Sequence, residues 1–229
     1  MKAYVINLES RSDRWESVSK QWVGRTDVLV RIDAVNSTSI SSSQTHFLPD
    51  PVVANWFSQC KAFREFLSTK DQYALILEDD FLLSKVDLSD CLDLVKVGRL
   101  DFLQLGYLCN SYSDFLFIKL TNFRDFILKV LNRGLKQFKS DFSNRLLIRE
   151  QADMNFKVVL NNVGAGSHAY IISRKFAEEM LKINDPVFLA ADGLFIAIAN
   201  LRFLKMGRLR SNRVRQSKSP SSITKRFVN

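Results

Sequence analysis

Residues 74–83 read ALILEDDFLL, so that three adjacent carboxylates, Glu78, Asp79 and Asp80, follow directly on an apolar run. An apolar run of this kind is typical of a buried strand, whereas a buried carboxylate without a partner is costly. Either the three acids form a solvent-exposed turn, or a cation is bound there. Glu78 and Asp80 lie two residues apart, so their side chains point to the same side of an extended segment. Such a pair of hard oxygen ligands would suit Mn²⁺ or Mg²⁺, which often complete their shell with substrate phosphates.

The sequence around this stretch alternates between strand and helix patterns. The predicted strands cover residues 3–8, 28–33, 73–77, 101–105 and 168–173, and the predicted helices cover residues 10–24, 50–67, 86–97, 122–138, 174–182 and 192–204. Alternation of this kind, with strands that read as continuous apolar runs, predicts an α/β fold with a mostly parallel sheet flanked by helices. Ligands of such sheets bind beyond the carboxyl ends of the strands, which is where the acidic run lies.

The charge of the chain is concentrated at one end. Lys and Arg number 33 against 24 Asp and Glu, for a formal net charge of +9, and Asp192 is the last acid. We expect one domain over residues 1–229 with a basic C-terminal segment at 202–229, which favours an anionic partner such as a phosphate, a nucleic acid or an anionic membrane surface. Nucleic acid is the weakest of these, because the segment has few aromatic residues and no recognised binding module.

The cysteines and the N-terminus indicate the compartment. The three cysteines, Cys60, Cys91 and Cys109, form neither a zinc pattern nor a disulfide framework, which favours a reducing environment. The first apolar run meets charge at Glu9 and is too short for a signal peptide or a membrane span. We therefore expect a soluble, cytoplasmic protein.

Other chemistry-bearing residues each allow two interpretations. Arg11 and Arg14 lie at the start of a predicted helix, where arginines favour phosphate binding, but they could equally form an exposed helix face. His168 starts a predicted strand and could be a ligand, a general base or a hydrogen-bonded structural residue. Asp192 lies in the apolar segment FLAADGLF, either as a base with a raised pKa or as a cap of the following helix.

The order of these motifs resembles glycosyltransferase family 25, which includes bacterial lipooligosaccharide galactosyltransferases and collagen galactosyltransferases. An N-terminal INL with two following arginines, ALILEDD at 74–80, GSHAYIISRKFAEEML at 166–181, an Asp-containing helix and a terminal VRQ with a later SSI occur in sequence. The resemblance extends over residues 5–223. It departs from the family at Gln59, where a histidine usually follows the serine that is kept as Ser58, and in residues 110–160, which match poorly.

The resemblance implies a GT-A-like (Rossmann-like) fold, a UDP-sugar donor carrying galactose or glucose, Mn²⁺ or Mg²⁺ as cofactor, and transfer with inversion to a saccharide, glycolipid or protein hydroxyl. It implies that Glu78 and Asp80 hold the metal ion. Further residues are implied at the donor: Asn7, Arg11, Arg14, Asp33, Ala34, Asp79, His168, Tyr170, Gln216 and Ser221 or Ser222.

Further charged residues complete the expected site. Arg213 and Arg215 of the basic segment could close over the donor phosphates, and the segment could contact the inner face of an anionic membrane that holds a glycolipid acceptor. Asp192 is the first candidate for the catalytic base and Asp153 is the second. A non-catalytic nucleotide-sugar binder of the same fold, or a nucleic-acid binder acting through the basic segment, stays open as an alternative.

Overall fold

The computed structural model describes residues 1–40, 48–83, 87–108 and 158–217. The strands within these ranges are β1 Lys2–Asn7, β2 Val28–Asp33, β3 Tyr73–Glu78, β4 Phe81–Leu83, β5 Phe102–Gly106, β6 Val158–Leu160, β7 Ala169–Ser173, β8 Met206–Leu209 and β9 Val214–Gln216. The helices are α1 Ser12–Trp22, α2 Asp50–Ser68, α3 Leu88–Gly98, α4 Arg174–Met180 and α5 Ala191–Leu201, with a short 3₁₀ turn at Ser37–Ser39.

Seven strands form one sheet in the order β2-β1-β3-β7-β5-β8-β6, and β4 pairs with β9 in a separate two-stranded sheet. Strands β1, β2, β3, β5 and β8 run in one direction, whereas β7 and β6 run antiparallel to their neighbours. The predicted α/β fold is thus confirmed, with a sheet that is mixed rather than wholly parallel. Because β1 and β3 are parallel neighbours, Asn7 and the three acids that begin at Glu78 lie at the same edge of the sheet.

Helices cover both faces of the large sheet. Alternating residues of β3 point to opposite faces: Ile76 belongs to one apolar cluster, and Leu75 and Leu77 belong to the other. The first cluster contains the aromatic side chains of α2, α4 and α5, and the second contains apolar side chains of α1 and α3. Strand β3 is therefore buried from both sides and gives the acidic run at its end a rigid support.

Most predicted helices are present, with shifted ends. The last helix ends at Leu201 and not at residue 204, because Arg202 adopts a left-handed conformation with φ of 57°. The predicted helix at 122–138 lies outside the described residues. Among the helices of the described ranges, none is long and apolar enough to cross a membrane.

Candidate functional site

A cleft opens at the edge of the sheet where β1 and β3 end. Its walls include apolar side chains from Ile6 and Leu8 and from the segment 34–35 that follows β2. All three acids of residues 78–80 line it, together with Arg14 and Gln216. The acids therefore do not form a solvent-exposed turn, and Asp80 is only 8% exposed. That these carboxylates bind a ligand stays a prediction.

Asp79 is held by two partners from the N-terminal part of the chain. Arg14 Nη1 donates to Asp79 Oδ1 and Asn7 Nδ2 donates to Asp79 Oδ2, both at 2.7 Å. The side chains of Arg14 and Asp79 are each about 10% exposed, so this is a largely buried ion pair. This ion pair connects the first turn of α1 to the end of β3. Of the acids at positions 78–80, Glu78 and Asp80 form no such ion pair within the described part of the chain.

Glu78 accepts three hydrogen bonds on one carboxylate oxygen. Ser167 Oγ donates to Oε1 at 2.7 Å, Asn55 Nδ2 at 3.3 Å and Gln59 Nε2 at 3.4 Å. Burial, together with the nearby Asp80 carboxylate, raises the pKa of Glu78 to about 7. Glu78 is thus a carboxylate that gives up its charge easily unless a cation compensates it.

Asp80 is anchored on one side only. Gln216 Nε2 donates to Asp80 Oδ2 at 2.8 Å, and the backbone N–H of Ser217 donates to the Asp80 carbonyl oxygen at 2.6 Å. The second carboxylate oxygen, Oδ1, is buried and has no hydrogen-bond partner among the residues that the structure describes. Burial raises the pKa of Asp80. An orphaned carboxylate oxygen is costly in a protein interior, and a cation bound there would remove the cost.

The carboxylate oxygens of the cleft are of the kind that bind a hard divalent ion, and such an ion also binds phosphate. Within the described ranges, no three His, Cys, Asp or Glu side chains form a metal-binding group. Glu78 and Asp80 together supply two carboxylates, which is the number that Mg²⁺ commonly takes from a protein when substrate phosphates and water provide the remaining ligands.

His168 and Tyr170 lie beneath the cleft. His168 is 1% exposed, and its Nε2 lies 3.2 Å from the carbonyl oxygen of Val214. Tyr170 is fully buried and its hydroxyl donates to Gln59 Oε1. Burial lowers the pKa of His168, which favours the neutral ring. The expectation that these two side chains contact the donor directly does not agree with their burial. They support the residues that line the cleft.

Three further residues near the end of β2 and the start of α1 were expected to bind the sugar donor. One of them lines the cleft and two lie at the surface. Ala34 lines the cleft, and its backbone N–H donates to the Asn7 carbonyl oxygen at 3.0 Å. Asp33 is exposed. Arg11 forms a two-point ion pair with Asp13, at 2.9 and 2.8 Å, on the surface. Asp33 and Arg11 are therefore near the cleft in sequence without lining it.

Within residues 202–217, the part of the basic segment that the structure describes, the side chain that lines this cleft is the amide of Gln216. In the two-stranded sheet, Gln216 pairs with Phe81 and Arg215 with Leu82. Adjacent residues of a strand point apart, so Arg215, which is exposed, faces away from the side of Gln216. Arg213 donates its backbone N–H to the Leu105 carbonyl oxygen at 3.1 Å, and its side chain is not among those that line the described cleft. The expectation that Arg213 or Arg215 closes over this cleft does not match that placement.

Asp192 links two backbone segments close to Glu78. Its Oδ2 accepts from Gly166 N at 3.0 Å and its Oδ1 accepts from Gly193 N at 2.9 Å. Its charge contributes to the raised pKa of Glu78. Asp153, Ser221 and Ser222 lie outside the described residues.

Three partners of Glu78 were not predicted from the sequence. Asn55 and Gln59 lie four residues apart on α2 and face the same carboxylate, and Ser167 precedes His168. A signal was present, because polar residues on the apolar face of a predicted helix need partners in the interior.

Most of the chain is similar to one known protein family. The model described as Glycosyltransferase family 25 (LPS biosynthesis protein) matches residues 1–195, a range that contains all of the cleft residues described above except Gln216. A comparison with curated proteins gives no match.

Proposed function

The chain belongs to glycosyltransferase family 25, and we propose that it transfers a hexose, galactose or glucose, from a UDP-sugar to a hydroxyl group of a saccharide, glycolipid or protein, with inversion at the anomeric carbon. The observation that carries this proposal is the cleft that both Glu78 and Asp80 line, with one buried Asp80 oxygen that has no hydrogen-bond partner within the described ranges. A divalent cation would satisfy both carboxylates and could in turn bind the diphosphate of a nucleotide sugar. Lipopolysaccharide biosynthesis, which the family's description names, is the proposed setting.

Glu78 and Asp80 are the residues that would hold a Mn²⁺ or Mg²⁺ ion. Such an ion supplies Lewis-acid stabilisation of the diphosphate that leaves with the nucleoside. The Arg14–Asp79 pair fixes the acidic run so that the carboxylates on either side of Asp79 face the cleft. Arg14 also brings positive charge to the first turn of α1, where backbone N–H groups favour an anionic ligand.

The apolar wall of the cleft is the proposed place of the nucleoside. Ile6, Leu8, Ala34 and Val35 offer apolar contact, and Asn36 and the adjacent Ser37 add polar groups. A mostly apolar wall with a few polar groups is typical of sites that bind a base and a sugar. Ser58 supports this wall, because its Oγ accepts the backbone N–H of Val35 at 2.8 Å.

The acceptor hydroxyl needs a base within hydrogen-bond reach. We propose Asp192 first, because it lies close enough to Glu78 to influence its pKa and each of its oxygens has a further lone pair beyond the backbone N–H that it accepts. Asp153 is the second candidate. The basic segment 202–229 would hold the protein against the cytoplasmic face of an anionic membrane that carries the acceptor.

The test is a screen of UDP-glucose and UDP-galactose with and without Mn²⁺, followed by measurement of UDP release in the presence of saccharide acceptors. We expect a Mn²⁺-dependent rise in melting temperature and Mn²⁺-dependent release of UDP. Asp80→Asn removes a metal ligand and should abolish both effects, whereas Asp93→Asn, which changes an exposed acid of α3, should not.

Three results would contradict the proposal. Full Mn²⁺-dependent turnover by Asp80→Asn would remove the metal role. Nucleotide-sugar binding without release of UDP would indicate a binding protein. Salt-sensitive nucleic-acid binding without affinity for UDP would indicate a nucleic-acid binder that acts through the basic segment.

A further inference from the structure

Tyr170, Gln59 and Glu78 form a chain of hydrogen bonds that leads from the protein core to the cleft. The Tyr170 hydroxyl donates to Gln59 Oε1, and Gln59 Nε2 donates to Glu78 Oε1 at 3.4 Å. Gln59 and Tyr170 are both fully buried. Because bulk water does not reach these groups, each polar atom depends on its neighbour in this chain.

The tyrosine fixes the orientation of the glutamine amide. A buried phenol hydroxyl needs an acceptor, and Gln59 Oε1 is the acceptor that it has in the structure. With its oxygen committed to Tyr170, the amide presents its NH₂ group to Glu78. The reversed amide would place a carbonyl oxygen against the carboxylate, which is repulsive. The Tyr170 hydroxyl and the Glu78 carboxylate therefore both favour the amide orientation whose NH₂ group faces Glu78.

The same donors determine which oxygen of Glu78 is available to a ligand. Gln59, Asn55 and Ser167 all donate to Oε1, so that this oxygen is occupied by the protein. No hydrogen bond to Oε2 is present among the described residues. A carboxylate fixed in this way offers one defined oxygen to the cleft and does not rotate freely.

We propose that Gln59 is a positioning residue: locked by Tyr170, it holds Oε1 of Glu78 so that Oε2 is presented to the divalent ion. This inference rests on the proposed function, since it assigns Glu78 to the ion. Its consequence is that a residue which touches neither the ion nor the donor sets the affinity for the ion. Outer partners of metal ligands typically change metal affinity or activity about 10–100-fold when they are lost.

The test measures Mn²⁺ binding in the presence of UDP by the electron paramagnetic resonance signal of free Mn²⁺. Gln59→Met keeps the length and removes donor and acceptor, and we expect its Kd for Mn²⁺ to rise about 10–100-fold. Tyr170→Phe removes only the lock and should raise the Kd by about 2–10-fold. In the Gln59→Met background, Tyr170→Phe should not change the Kd for Mn²⁺ further, because the chain of hydrogen bonds from Tyr170 to Glu78 is already broken.

Two controls separate positioning from general damage. Phe63 lies one turn beyond Gln59 on α2 and belongs to the apolar cluster. Phe63→Leu should lower the melting temperature without changing the Kd for Mn²⁺. Gln59→His restores one donor and one acceptor in a neutral ring, and it should recover most of the affinity lost in Gln59→Met.

The outcomes distinguish this inference from the proposed function. If the unaltered protein binds no Mn²⁺ with UDP, the proposed function fails. If it binds Mn²⁺ and Gln59→Met binds equally well, only the role of Gln59 fails. If Gln59→Met does not fold, the Kd of Tyr170→Phe for Mn²⁺ tests the inference by itself. A Kd equal to that of the unaltered protein would then overturn the role of Gln59. Equal loss of Mn²⁺ affinity in Phe63→Leu would also overturn it.

Discussion

Glu78→Gln should change the pH dependence of stability in the metal-free protein. Burial raises the pKa of Glu78 from 4.5 to about 7 in the folded state. A carboxyl group with a raised folded pKa contributes stability that is present below the unfolded pKa and is lost as the pH rises through the folded pKa. Wild-type protein should therefore lose this contribution between about pH 4.5 and pH 7, whereas the glutamine variant has no such group.

The magnitude follows from the two pKa values. One pKa unit corresponds to about 1.36 kcal/mol, so that the full contribution is about 3 kcal/mol, and about 2–3 kcal/mol of it is lost between pH 5 and pH 8.5. The unfolding free energy of Glu78→Gln minus that of wild type should rise by this amount over that interval. For a chain of this size it corresponds to about 4–12 °C in melting temperature.

The assay is urea unfolding of both proteins in EDTA at pH 5, 7 and 8.5, because the difference between them cancels the titration of all other groups to first order. Adding Mn²⁺ and UDP at pH 8.5 should stabilise wild type more than the variant. A difference that is constant within about 0.5 kcal/mol, or that falls as the pH rises, would show that Glu78 does not lie in the buried, charge-crowded place described above.

Three further predictions concern other parts of the structure. Arg14→Met leaves the largely buried Asp79 with Asn7 as its remaining hydrogen-bond partner in the described part of the chain and should cost about 3 kcal/mol in urea unfolding, while a cost below about 1 kcal/mol would indicate an exposed pair. Gly106→Ala brings a Cβ against the His168 ring and the Val214 carbonyl and should cost about 1–3 kcal/mol, whereas Gly193→Ala in α5 meets no atom within 4 Å and should be neutral or stabilising by thermal unfolding. Vesicles containing anionic lipid should bind the full chain in sedimentation at low salt and release it at high salt, and equal binding to neutral vesicles would exclude the proposed role of segment 202–229.

The sequence allowed the long elements to be predicted because their apolar residues repeat with a clear period. Strands β1, β2, β3, β5 and β7 and helices α1 to α5 were all expected, with shifts of a few residues at their ends. Strands β4, β6, β8 and β9 were not, since each has only three or four residues and pairs with a partner that is distant in sequence. A run such as VRQ acquires its strand conformation from the ladder with β4 and not from its own pattern.

Residues of the candidate site could be predicted where a short contiguous motif carries them. The acidic run at the end of β3 could be located, and Arg14 was already a candidate. Its ion pair with Asp79 could not be read, because the two residues lie 65 apart in the chain. His168 and Tyr170 were assigned to the donor by resemblance, which carries the type of residue but not its burial. Asn55 and Gln59 were missed because periodicity identifies a buried helix face without showing which polar atoms meet across it.

The antiparallel ladder between β4 and β9 means that the last described residues complete the pocket of acids that begins at residue 78. The amide that donates to Asp80 comes from Gln216, which lies 136 positions away in the chain. During synthesis on the ribosome, the Asp80 contact can form only after Gln216 has left the exit tunnel. A chain that stopped before Gln216 would lack the amide that donates to Asp80, so the cleft would lose one of its lining side chains.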